Sequence, residues 1–208
     1  MTTPRTTAVP AVLEGRPLVV VDVEGNGGQP PRIVEIAVLA VDGPVTAGDV
    51  RTWLVKPAES ITIHARRVHG IDNRDVAGAP SWEAVAGEVA PLLEGRVLLG
   101  HNAATEYRVL GAHLPDWRPP MVLDTLRLAR HVWSGLPGYG LDKLAAHAGL
   151  EIGGVDGQRP HRAGYDTWCT WLLFLALLDD SGLDWDGLVR TAALKEFLPA
   201  EEPGEGLW

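Results

Sequence analysis

The chain has 208 residues, 46% of them hydrophobic and 22% charged, the make-up of one large globular domain with ample material for a core. That excludes whole-chain disorder, and the longest apolar run, Trp168 to Leu178, is far short of the ~20 residues a bilayer span needs. A net charge of −9 argues against a basic, nucleic-acid-coating surface, but not against an enzyme whose carboxylates are neutralised by bound cations.

Residues 1–15, rich in Thr, Pro and Ala, read as a flexible lead-in. A single domain is expected over 16–198, followed by an acidic Gly/Pro tail at 199–208. Pro17 to Val23 is a β-branched run closed by the turn cluster G-N-G-G-Q-P-P, so a first strand is expected there. Arg32 to Val41 predicts a second strand, and the alternating Asp49 to Val55 a third. Short turns between them make an antiparallel meander. Ser81 is placed to cap a helix with Val85, Val89, Leu92 and Leu93 at helical spacing, ended by Gly95. A strand at Arg96 to Leu99, a helix near 104–113, a short strand at Met121 to Leu123 and a helix near 125–133 follow. Helices are expected at Leu141 to Ala148, near 163–179 and near 184–197. The fold class is therefore α/β, with a mixed sheet flanked by helices. One cysteine, Cys169, excludes an internal disulfide and a cysteine-based zinc cluster. The opening M-T-T-P-R-T-T-A-V-P lacks the apolar stretch of a signal peptide, so an intracellular, cytoplasmic protein is expected.

Three segments carry acids where chemistry can use them. In V-D-V-E, Asp22 and Glu24 are two apart on a strand and leave it on one face. At the end of so apolar a strand they either meet solvent, find partners or hold a hard divalent cation. In G-H-N-A-A-T-E, Glu106 falls in the first turn of a helix, which the helix dipole alone would favour. His101 and Asn102 just before it suit local backbone bonding. In H-R-A-G-Y-D, His161 and Asp166 both lie near the start of a strongly apolar helix, where a His can take a proton from a metal-held water. Other motifs fail. None of the four serines sits in a G-x-S-x-G elbow, and G-Y-G-L-D-K is not a phosphate loop. Trp168 and Trp171 lie in the apolar helix and read as core, not as base-stacking platforms.

Taken in order, the three segments resemble the DEDDh 3′–5′ exonucleases. Their D-x-E is matched by Asp22 and Glu24, their H-N-A-x-x-D by H-N-A-A-T-E ending in Glu106, and their H-x-A-x-x-D by His161 and Asp166. I-V-E-I-A-V at 33–38, V-H-G-I at 68–71, D-T-L at 124–126 and Y-G-L-D-K-L at 139–144 support the match, which spans about residues 17–180. The resemblance implies a ribonuclease H-like fold and two divalent ions, Mg²⁺ or Mn²⁺, held by Asp22, Glu24, Asp166 and Glu106. His161 would be the base that activates water at the 3′ end of single-stranded DNA or RNA. Two departures stand out. Glu106 replaces the usual Asp, and Gly25-Asn26-Gly27 replaces T-T-G, so Gly25 and Asn26 become the candidates for contact with the terminal nucleotide. A weakened nucleic-acid-binding or polymerase-associated module, and a phosphodiesterase of very short oligonucleotides, are the alternatives. The acidic end of the chain offers no polymerase-binding segment, so a free-standing enzyme is expected.

Overall fold

The computed structural model describes residues 6–154 and 159–198; the tail expected at 199–208 lies outside them. Five strands, β1 (Leu18–Gly25), β2 (Ile33–Val41), β3 (Arg51–Leu54), β4 (Val97–Gly100) and β5 (Val122–Asp124), form one sheet in the order β3-β2-β1-β4-β5. The β1–β2 and β2–β3 pairs are antiparallel, while β1–β4 and β4–β5 are parallel. This is the mixed α/β sheet expected. Parallel pairing requires the chain to return to the same end of the sheet before each new strand. Here α1 (Ile63–His69) and α2 (Trp82–Leu93) precede β4, and α3 (Ala104–His113) carries the chain on to β5.

The alternation of β1 sorts the core into two layers. Leu18 and Val20 face one side and pack with Trp168, Trp171, Leu173 and Phe174 of α6 (Ala163–Ser181). The same layer takes in Leu128 of α4 (Thr125–Val132), Leu144 of α5 (Leu141–His147) and Leu188 of α7 (Trp185–Ala192). Val19 and Val21 face the other side, against Val85, Val89 and Leu93 of α2 and Val109 and Leu110 of α3. Asp22 and Glu24 share the parity of Leu18 and Val20, so the period of two delivers both carboxylates to the α6 side. A register shift between Glu24 and Gly25 ends regular pairing with β2 at that point.

Several expectations change. Residues 6–15 are not a loose lead-in. Thr7 bridges Val45, its hydroxyl accepts from Trp171 Nε1 at 2.8 Å, and Leu13 is buried behind a short 3-10 turn at Ala11–Leu13. The indole of Trp171 needs a partner inside the core, and Thr7 is that partner. The helix expected near 184–197 stops at Ala192, because Ala193 bridges Leu123 and Leu194 donates to the Val122 carbonyl, closing part of the β5 edge. Asp49 does not join β3; its carboxylate caps the 3-10 turn at Ala47–Asp49 by accepting from Thr46 N at 2.7 Å. Helix α1 is not announced by any hydrophobic period. It exists through its ends: Thr62 Oγ1 accepts from Ala65 N, and Gly70 closes it at φ 76°. Among the described residues, no helix is long and apolar enough to cross a membrane.

Candidate active site

The site sits at the end of β1, where the strand meets the start of α6. Asp22 and Glu24 come from the strand, and Asp166 from the first turn of α6. Asp166 shares its helix face with Thr170, Leu173 and Leu177, all buried against the sheet. Packing of that face therefore carries Asp166 over the acidic pair. Carboxylate oxygens of Asp22, Glu24 and Asp166 all lie within 4.8 Å of one another. Among the described residues no side-chain cation is ion-paired with Asp22, Glu24 or Asp166, so the acids repel one another. Burial, with repulsion from Glu106, Asp166, Glu24 and Glu35, drives the Asp22 carboxyl well above the usual range. Burial and the charges of Asp166 and Glu35 push Glu24 up to about 8, and burial raises Asp166 to about 6. Three oxygen donors converging without a counter-ion fit a hard divalent cation.

Glu106 approaches from the other layer, at the start of α3, and stands outside the cluster of three. It is 4% exposed, its Oε2 has no hydrogen-bond partner among the described residues, and burial pushes its carboxyl up to about 8. A Cβ at Gly100 would crowd Ala103, 3.2 Å from its Cβ, and only touch that oxygen, at 3.5 Å. An orphaned buried oxygen beside an acidic cluster again suits a cation and not a folded-state partner.

His161 is exposed, in the left-handed region at φ 64°, and its backbone N donates to Asp166 Oδ2 at 3.1 Å. His161 lines a cavity of about 570 Å³ together with Asp22 and Asp166, Tyr165 and Cys169 of α6, and Leu141 and Ala145 of α5. Burial raises the Cys169 thiol to about 12, so it is a packing group at neutral pH.

Asn26 and Gly25 both take part in holding the turn after β1. Asn26 is buried, and its Oδ1 accepts from Gly28 N and Arg32 N, so it builds the β1–β2 turn. The Gly25 carbonyl pairs with His69 Nε2 at 3.3 Å while Ile71 N donates to His69 Nδ1, which makes Nε2 the protonated nitrogen. Burial also lowers the His69 pKa, keeping it neutral. His101 is not bonded to local backbone as expected. It joins Thr125 Oγ1 at 2.9 Å and the Tyr139 carbonyl at 3.0 Å, tying the end of β4 to α4 and to the chain before α5. Asn102 N donates to Asp124 Oδ1, and Asn102 takes φ 64° to do so.

Glu35, within I-V-E-I-A-V, has a role that the motif alone does not specify. Glu35 is fully buried and paired with Arg162, and its oxygens also accept from Ala163 N. A lone acid inside a nine-residue apolar strand was the available signal, since it must find a partner.

Residues 19–174 match the RNase_T family model, described as an exonuclease. The chain is 34% identical over 172 residues to the 3′-5′ exonuclease DinG of Bacillus subtilis, covering 77% of this chain and 17% of that protein. It is 28% identical over 168 residues to the DNA polymerase III subunit epsilon of Aquifex aeolicus, covering 78% and 80%. The solved structure of Exonuclease X in complex with 5′ overhanging duplex DNA superposes with a TM-score of 0.69 at 28% identity, over 84% of this chain and 98% of that one.

Proposed function

Because the chain belongs to the RNase_T exonuclease family, we propose that it is a metal-dependent 3′–5′ exonuclease that releases nucleoside 5′-monophosphates from single-stranded DNA or RNA. The carrying observation is the meeting of Asp22, Glu24 and Asp166 from two distant stretches of chain within 4.8 Å. These three carboxylates would hold the divalent metal centre, two ions of Mg²⁺ or Mn²⁺, with Glu106 reaching it from α3. Bound there, such ions supply Lewis-acid stabilisation of the attacking and leaving oxygens.

The chain's own groups do the rest. Asp22, Glu24 and Asp166 fix the charge and direction of the donor set from a rigid strand and a rigid helix, which holds the reacting phosphate in one orientation. His161 faces the same cavity and takes the proton from the attacking water. Leu141 and Ala145 of α5 and Cys169 of α6 give the cavity an apolar flank. The single domain spans 16–198, with residues 6–15 packed onto it.

Nucleotide release from matched 3′-terminal DNA and RNA oligonucleotides, with Mg²⁺ or Mn²⁺, tests this for wild type and Asp166→Ala. Release of 5′-monophosphates that vanishes in the variant supports the reading, and the DNA/RNA ratio names the substrate. Glu106 favours a second reading, a weakened nucleic-acid-binding module, since it stands outside the cluster. Retained oligonucleotide binding with no release in either metal would select it. The relation to a polymerase subunit makes a polymerase partner testable by co-purification; a free-standing cytoplasmic enzyme is our reading.

A further inference from the structure

We infer that Arg162, anchored on Glu35, is the positioning residue that sets His161 over the acidic cluster; the inference rests on His161 acting as the base in the exonuclease reading above. Glu35 of β2 lies directly opposite Glu24 of β1 and therefore on the same face. Two carboxylates in opposite positions repel, and a fully buried one cannot stay ionised without a partner. Arg162 answers both demands. Its Nε donates to Glu35 Oε2 at 3.0 Å and its Nη2 pairs with Oε1, while Ala163 N adds a third bond to Oε2 at 2.9 Å. Both oxygens of Glu35 are thereby spent, which explains why it is not one of the three converging ligands.

Arg162 is also the residue that opens α6, immediately after His161. His161 holds a left-handed backbone, which a non-glycine residue keeps only when its surroundings impose it. Among the described residues its ring has no hydrogen-bond partner, so the ring's place is inherited from the backbone on either side. That backbone is held at His161 itself, whose N donates to Asp166 Oδ2, and again on either side. Arg162 binds β2 on one side, and on the other Arg159 Nη2 donates to the His69 carbonyl at 3.3 Å, lying over Gly70 where a Cβ would meet it. His69 in turn holds the Gly25 carbonyl at the end of β1. His161 is thus suspended between anchors on the hairpin that carries Asp22 and Glu24. A guanidinium fork is required at position 162, because an ammonium cannot fill both oxygens of Glu35 in one orientation.

The test compares wild type with Glu35→Gln and Arg162→Lys. It measures kcat and KM on a fluorescent oligonucleotide, Mn²⁺ binding by calorimetry, the melting temperature, and the His161 ring Cε1–H signal by NMR, assigned through His161→Gln. Misplacement of a reacting group by about 1 Å costs on the order of a hundredfold in rate. The expected result is a kcat loss of about 10- to 100-fold, KM within about threefold, Mn²⁺ stoichiometry intact, and a shifted or broadened His161 signal. Should Glu35→Gln fail to fold, Arg162→Lys keeps the charge on the partly exposed partner and carries the test alone. Unchanged kcat in a folded variant, an unmoved His161 signal, or loss of Mn²⁺ binding in step with kcat would overturn the positioning role. A wild type that releases nothing from any oligonucleotide overturns the exonuclease reading instead, and the His161 signal still decides the positioning claim.

Discussion

Metal binding should be coupled to proton release, and the coupling can be worked out from the carboxylates themselves. Glu24 is raised to about 8 and Asp166 to about 6, and Asp22 is raised well above its usual range. At pH 6.5 Asp166 is then largely ionised, while Glu24 still carries its proton. A cation taking Glu24 must expel that proton, which makes affinity rise about tenfold per pH unit, and the raised Asp22 carboxyl works in the same direction. The apparent Kd for Mn²⁺ should therefore fall by about tenfold or more between pH 6.5 and pH 7.5. The same shifts govern stability without metal. A carboxyl raised in the folded state stabilises it fully below the ordinary value near 4.5, and that contribution is lost as pH rises through about 8. For Glu24 the loss is of order 3–5 kcal/mol. Melting temperature should thus fall from pH 5 to pH 8 in metal-free protein and stay nearly level when Mn²⁺ is saturating. Calorimetry at pH 6.5 in buffers of different ionisation enthalpy counts the protons directly. A flat Kd from pH 6 to 8 with no proton released would refute the reasoning, because the acids would then already be ionised and need no cation.

Glu106→Asp should keep or raise nucleotide release, whereas a fall to the level of Glu106→Ala would contradict a ligand role for this orphaned carboxylate. His161→Gln should lower kcat by about 10²- to 10⁴-fold while Mn²⁺ binding persists, checked by single-turnover kinetics beside calorimetry. Thr7→Val leaves the Trp171 indole N–H unpaired in the core and should cost about 1–3 kcal/mol in urea unfolding; an unchanged midpoint would mean the N-terminal segment is not packed there. Leu99→Ala, at a fully buried position of β4, should cost about 2–5 kcal/mol by the same measurement.

Much of the molecule was legible in its sequence because the relevant forces are local. The strands at Leu18–Gly25 and Ile33–Val41 follow from β-branched runs bounded by turn residues, and α6 from a long apolar helix pattern. The i, i+2 spacing of Asp22 and Glu24 already places them on one face. Helix α1 was not legible, since it buries only Ala65 and His69 and depends on Thr62 and Gly70 at its ends. Nor was the turn role of Asn26, whose Oδ1 reaches Arg32 N six residues on, across a loop whose path the sequence does not specify.

What the sequence determined by itself, then, was the inventory: which residues are acidic at strand and helix ends, their order, and the face each must occupy on its own element. Tertiary structure alone decided the company they keep. It brought Asp166 over Asp22 and Glu24, left Glu106 beside them without a partner, and consigned Glu35 to Arg162. The physical reason is one of range. Side-chain periodicity acts over a few residues and is written in the chain, whereas the repulsion among buried carboxylates and the pairing that relieves it depend on distances that exist only once α6 has packed across the sheet.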